Sequence, residues 1–200
     1  MSEAIQEMID AIFDVSGETL PASYPFALWQ TLIRHIPELE TDDSIGVLPI
    51  RTSASAAGML IPKRAKLTVR IPEHLSQQVQ RLAGQALHMD TLSLALGSGK
   101  LRPLQPYPTL HAHFVTGDTD EPTFLAAVSS RLDTLGIVGK LICGMRHNMD
   151  APDQRLHGYS LVIHDLKPDA SLRLQYAGLG SHRKYGCGIF VPYKAISDLD

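Results

Sequence analysis

The chain has 200 residues, 44% of them hydrophobic and 20% charged, a make-up that fits one large globular domain or two small ones. Cys143 and Cys187 are the only cysteines, which excludes a disulfide framework and points to a reducing cytoplasm. The net charge of -3 gives no overall signal for a polyanion partner, no apolar run reaches membrane-span length, and the first thirty residues lack the basic start of a secretory leader.

In chain order, residues 9–15 read as a strand. Phe26, Trp29, Ile33 and Ile36 recur at helical spacing between Pro25 and Pro37. Residues 45–51 predict a second strand and 67–71 a third, where Leu67, Val69 and Ile71 alternate with Thr68 and Arg70. Leu75, Val79, Leu82 and Ala86 form a helical stripe, followed by a strand over 87–96. The next hundred residues repeat the order. A strand over 110–116 is followed by a helix that opens on Asp120-Glu121-Pro122, carries Phe124, Val128, Leu132 and Leu135, and stops at Gly136. Strands over 139–149 and 156–166, a helix over 168–175 and a strand over 189–193 complete it. The pattern β-α-β-β-α-β occurs twice, so the expected fold is α+β: two tandem ferredoxin-like units, 1–100 and 101–200, joined through the proline-rich stretch 101–108.

Familiar cofactor and metal motifs fail on spacing. The stretch "GSGK" (97–100) would need glycine at Leu94 and Ser or Thr at Leu101 to be a phosphate loop. His111-x-His113 and the pair Cys143 and His147 offer no further spaced ligands for a zinc site, and no glycine pattern marks a hydrolase nucleophile. No metal and no cofactor is expected.

Charge is unevenly spread. Residues 1–49 carry nine acidic residues against Arg34; residues 51–70 carry Arg51, Lys63, Arg64, Lys66 and Arg70 and no acid. From 155 to 194 six basic residues face Asp165 and Asp169. The last of these runs contains "GLGSHRKYGCG" (178–188), four glycines around His182, Arg183, Lys184 and Tyr185. Such a loop either wraps phosphate with its N–H groups and cations or is a long mobile connection. "PKRAK" (62–66) is a second basic loop, whose plain alternative is a solvated turn.

The run from 158 to 194, and the glycine loop above all, resembles the CRISPR-associated repeat-processing endoribonucleases of the RAMP superfamily. The similarity is closest to the myxan subtype, with echoes at 58–72, 81–97 and 101–115 in the same order. The resemblance implies a metal-independent endoribonuclease that binds CRISPR repeat RNA, often as a hairpin, and cuts once per repeat. A 2′-hydroxyl would attack the adjacent phosphate and leave a 2′,3′-cyclic phosphate. The protein would then keep the product and join a multi-protein interference complex as a subunit. It further implies a histidine base in or just after the first helix, here His35, with Arg34 or a loop lysine as the cation. Relatives place a histidine at the helix start, where this chain has Ser23-Tyr24-Pro25, which makes Tyr24 the other candidate. Gly178, Gly180, Gly186 and Gly188 would fold the loop against RNA, with His182, Arg183 and Lys184 on the phosphates and Lys63, Arg64 and Lys66 as a second cluster. The alternative is a non-catalytic subunit that caps the repeat hairpin in an effector complex.

Overall fold

Alternating side chains give the first strand two working faces. In β1 (Met8–Ser16), Ala11 and Phe13 point to one buried side while Asp10, Ile12 and Asp14 point to the other. The chain is described by a computed structural model over residues 5–55 and 58–193; Lys194, the last of the C-terminal basic run, lies outside the described residues. After the short β2 (Thr19–Leu20), helix α1 (Tyr24–His35) opens on Pro25, whose missing N–H is not needed there, and buries Leu28, Trp29 and Leu32 against the Phe13 side of β1.

The strand expected over 45–51 is only two residues long, β3 (Gly46–Val47). Leu48 still donates its N–H to the Thr68 carbonyl (3.0 Å), but Pro49 has no N–H with which to continue the ladder. Strands β4 (Ser53–Ser55) and β5 (Gly58–Leu60) join β2 in a small separate sheet, and β6 (Lys66–Pro72) returns to pair with β1. The second helix is brief, a 3-10 turn at Glu73–Leu75 running into α2 (Ser76–Gln80). Ala86 does not extend the helix. It starts β7 (Ala86–Met89), which turns back at Asp90 (φ 51°) into β8 (Leu92–Pro103). Aspartate tolerates that left-handed position, so the single strand expected over 87–96 is a hairpin.

The second half follows its predicted order closely. β9 (Leu110–Thr116) leads to α3 (Glu121–Thr134), where the Asp120 carboxylate caps the Thr123 N–H at 3.1 Å. β10 (Lys140–Asp150) and β11 (Arg155–His164) form a hairpin, and α4 (Pro168–Ala177) leads through the glycine loop to β12 (Val191–Pro192). The main sheets run β3-β6-β1-β8-β7 and β10-β11-β9-β12. Leaving out the β7 flank, each places its strands in the spatial order second, third, first, fourth, which is the ferredoxin-like arrangement, and each has its own apolar core.

The two halves are tied by charge. Asp10 lies directly between Arg70 and Arg102 across the first sheet. Its carboxylate accepts from Arg70 Nε (2.8 Å) and Nη2 (3.2 Å), while Arg70 Nη1 reaches into the second half to the carbonyls of Phe190 (2.8 Å) and Gln175 (3.3 Å). Arg70 is 1% exposed. Breaking a buried pair leaves a charge without its partner, so Asp10→Ala is expected to cost about 3–5 kcal/mol. The double change Asp10→Leu/Arg70→Met should cost less, since it buries no lone charge. Urea unfolding of the two variants checks this; an Asp10→Ala protein as stable as wild type would mean that the pair does not close the junction.

Candidate nucleic-acid interface

Strand register decides which cations share a surface. Residues paired across β6, β1 and β8 lie on one face, so Arg70, Asp10 and Arg102 form one row, Thr68, Ile12 and Lys100 the next, and Lys66 with Asp14 a third. The helices cover the opposite face of this sheet. Between the open face and the second sheet lies a trough made of two adjoining hollows of about 460 and 780 Å³, which share Leu48, Pro49, Arg51 and Thr68. Arg64 and Lys66 line its outer end; Arg51 and Arg102 line its middle. The far wall brings His111 and His113 of β9 with Val191 and Tyr193.

Its electrostatics favour an anion, moderated by local pairing. Lys66 is bonded to Asp14, and that bond holds the Asp14 carboxyl below the usual carboxylate range. Burial, followed by the nearby charges of His113 and Arg51, pushes the His111 imidazole below its ordinary value, so it is neutral at pH 7. Tyr107 and Tyr193 are large aromatics left exposed at the trough, and Tyr193 meets the His111 ring edge-on at 5.7 Å. Cations that follow a backbone together with aromatic platforms are what a single-stranded nucleic acid needs.

The glycine loop is a built wall of this trough. Gly178, Gly180, Gly186 and Gly188 all have positive φ. At Gly188 a side chain would meet the Leu179 carbonyl oxygen at 1.9 Å, and Gly186 rests on Pro49. Five of the loop amides are already used: Leu179 donates to Gly188, Gly188 to Phe114, Tyr185 and Cys187 to His182, and Gly186 to Arg183. These N–H groups fix the loop's own turn and its attachment to β9.

His182 holds the left-handed conformation (φ 63°, ψ 39°), uncommon outside glycine. Its Nδ1 is 2.6 Å from Ser181 Oγ, and Ser181 is in turn held to Thr116 by N–H to Oγ1 (2.7 Å) and Oγ to Oγ1 (2.9 Å). That approach requires Gly180, where a Cβ would stand 2.8 Å from the Thr116 backbone oxygen. Tyr185 stacks on His182 at 6.0 Å, meets Phe26 of α1 edge-on at 4.6 Å, and carries Lys184 Nζ 5.3 Å from its ring centre.

The expected site residues are not gathered in one place. Arg64 and Lys66 are exposed at the trough end, and Lys63 is exposed on the same loop. Arg183 is 5% exposed: its Nη1 donates to the Tyr176 carbonyl, and burial beside Arg70 pushes the guanidinium down to about 10. It is a buried cation of the junction and does not face solvent. Tyr24 is buried, and its hydroxyl accepts the Ile50 N–H at 2.9 Å, bracing the segment that forms one lip of the trough. His35 is exposed at the other end of α1, Nδ1 on the Thr31 carbonyl, and Arg34 beside it bonds Gln30 and Thr31. Eleven helical steps at ~1.5 Å put His35 roughly 16 Å along the helix from Tyr24, while Phe26 is the α1 residue whose ring meets the glycine loop. Sequence reading noted Arg51 only as part of a basic run and passed over Arg102 and Tyr107. The alternation that paired His111 with His113 was a usable signal; the cross-strand register of Arg102 was not.

Among the described residues no three His, Cys, Asp or Glu side chains converge as metal ligands, and no helix is long and apolar enough to cross a membrane.

Comparison with known proteins agrees with this geometry. A family model described as Cas6 Crispr matches residues 9–195. The CRISPR-associated endonuclease Cas6 of Myxococcus xanthus (strain DK1622) is 32% identical over 186 residues, 92% of this chain and 81% of that protein. A solved CRISPR associated protein Cas6 superposes with a TM-score of 0.65 at 8% identity, covering 94% of this chain and 100% of that one. The product of a Cas6-related gene from Pyrococcus furiosus gives 0.64 at 9% identity, covering 92% and 98%. These distant structures share the fold. With a family match along nearly its whole length and a curated relative at 32% identity, the chain belongs to the Cas6 family of CRISPR-associated proteins.

Proposed function

We propose that this protein is a metal-independent endoribonuclease that cuts CRISPR precursor RNA within the repeat and leaves a 2′,3′-cyclic phosphate. The observation that carries the reading is the trough, with Arg51, Arg64, Lys66 and Arg102 along it and neutral His111 and exposed tyrosines on its far side. Family membership supports RNA processing. The same reading has the repeat held as a hairpin, the product retained, and the loaded protein passed to a multi-protein interference complex in the cytoplasm.

The reaction needs a base for the 2′-hydroxyl, fixed positive charge near the phosphorane and a proton for the leaving oxygen. Cations near the trough meet the second need without a metal. A non-catalytic cap for the repeat is the second reading; it is favoured by the sealed Tyr24 hydroxyl at the helix start and by the distance of His35 from the loop.

Incubation of cognate repeat RNA with the protein in EDTA should give one cut with a cyclic-phosphate end. Tight binding with no product would select the capping reading, and a cut that appears only with added divalent metal would exclude the proposed chemistry. For binding, Arg51→Ala/Arg102→Ala should lower the affinity at least tenfold at moderate salt. It should also flatten the slope of log K against log salt by about 1.4, two single-strand phosphate contacts at ~0.7 each. An unchanged slope in a filter-binding titration would remove both arginines from the RNA path.

A further inference from the structure

The glycine loop carries an imidazole that its surroundings orient as a base. Gln154, on the turn between β10 and β11, places its side-chain amide nitrogen 3.3 Å from His182 Nε2. An amide nitrogen only donates, so Nε2 carries the lone pair and Nδ1 carries the proton, which it gives to Ser181 Oγ at 2.6 Å. Ser181 Oγ passes its own proton to Thr116 Oγ1, which is fixed at the end of β9. The ring is thus held on one side by a hydroxyl chain rooted in the sheet, with its basic nitrogen on the other side, where only the longer Gln154 contact would have to give way to a substrate hydroxyl.

The backbone points the same way. A histidine in the left-handed region stores strain that the surrounding hydrogen bonds must hold. Its carbonyl accepts the Tyr185 and Cys187 N–H groups, so His182 is one tight turn from Gly186, which lines the trough. Lys184 on the same turn supplies a cation, its Nζ 5.3 Å from the centre of the Tyr185 ring that stacks on His182. Three other imidazoles are committed to neighbours, His35 to the Thr31 carbonyl, His157 to Asn148 and His164 to Asp165, while His111 and His113 lie on the far wall of the trough.

We infer that His182 is the general base of RNA cleavage, with Lys184 as the cation beside the scissile phosphate. The inference rests on the ribonuclease reading above. The 2′-hydroxyl proton moves to Nε2 as the O2′–P bond forms. The P–O5′ bond breaks, the leaving 5′-oxygen takes a proton from water, and the imidazolium returns its proton to solvent. Burial, and then the charge of Lys184, hold the imidazole below its ordinary value. Arg183 is turned inward, and Asp153 acts on the neighbouring Tyr185. A base must be unprotonated to work, so the rate falls on acidification with its midpoint below pH 6.5.

The test uses His182→Asn and His182→Gly, both of which tolerate positive φ. Single-turnover cleavage in EDTA, RNA affinity and thermal melting are measured together. At unchanged melting, both variants are expected to lose at least about 100-fold in rate with affinity within threefold of wild type. Free imidazole should restore part of the rate in His182→Gly, and the acidic limb should disappear in His182→Asn. A variant that cuts within threefold of wild type would place the base elsewhere while leaving the ribonuclease reading intact. Affinity falling in step with rate would make His182 an RNA-binding residue only. Wild type failing to cut would instead overturn the ribonuclease reading itself.

Discussion

Everything around the trough depends on one buried ion pair. Arg70 is on an inner strand of the first sheet, yet two of its four guanidinium hydrogen bonds end on carbonyls of the second half, at Gln175 and Phe190. Asp10 supplies the counter-charge that makes such burial tolerable. Since Phe190 follows the glycine loop and Gln175 precedes it, the same guanidinium holds both ends of that loop against the first sheet. The trough width, the place of Gly186 against Pro49 and the inward turn of Arg183 follow from that attachment.

With the halves so joined, the division of labour within the loop follows from room and charge. Arg183 fills space that Gly46 and Gly178 leave open, and it adds a second buried guanidinium to the junction. Lys184 and His182 remain half-exposed and face outward. One loop therefore both seals the interface and presents chemistry. The cations lining the trough, Arg51, Arg64, Lys66 and Arg102, come from the first sheet and its loops, while the imidazoles and the Tyr193 ring come from the second half.

Much of the fold was legible locally. The alternation of Leu67, Val69 and Ile71, and the stripe of Phe124, Val128 and Leu132 closed by Gly136, follow from side-chain periodicity and a positive φ, which neighbours in sequence reveal. The β7–β8 hairpin was less legible, because its turn rests on a left-handed Asp90 in place of a glycine. The site was legible only as a loop. Arg183 in a basic, glycine-rich stretch reads as a surface cation, and nothing near it in sequence shows that Gly46 makes room for it. Tyr24 likewise reads as a free hydroxyl until Ile50 is brought to it. The bonds of Ser181 to Thr116 and of His182 to Gln154 span 65 and 28 residues respectively and exist only once the second sheet has formed.

The central claim is that RNA runs through the trough and past the glycine loop. Ultraviolet cross-linking of bound repeat RNA, with peptides mapped by mass spectrometry, tests it most directly. The account predicts adducts on Tyr107, Tyr193 and Tyr185, the exposed or half-exposed rings along that path. Adducts confined to the end of α1 around His35 would contradict it and move the RNA to another face.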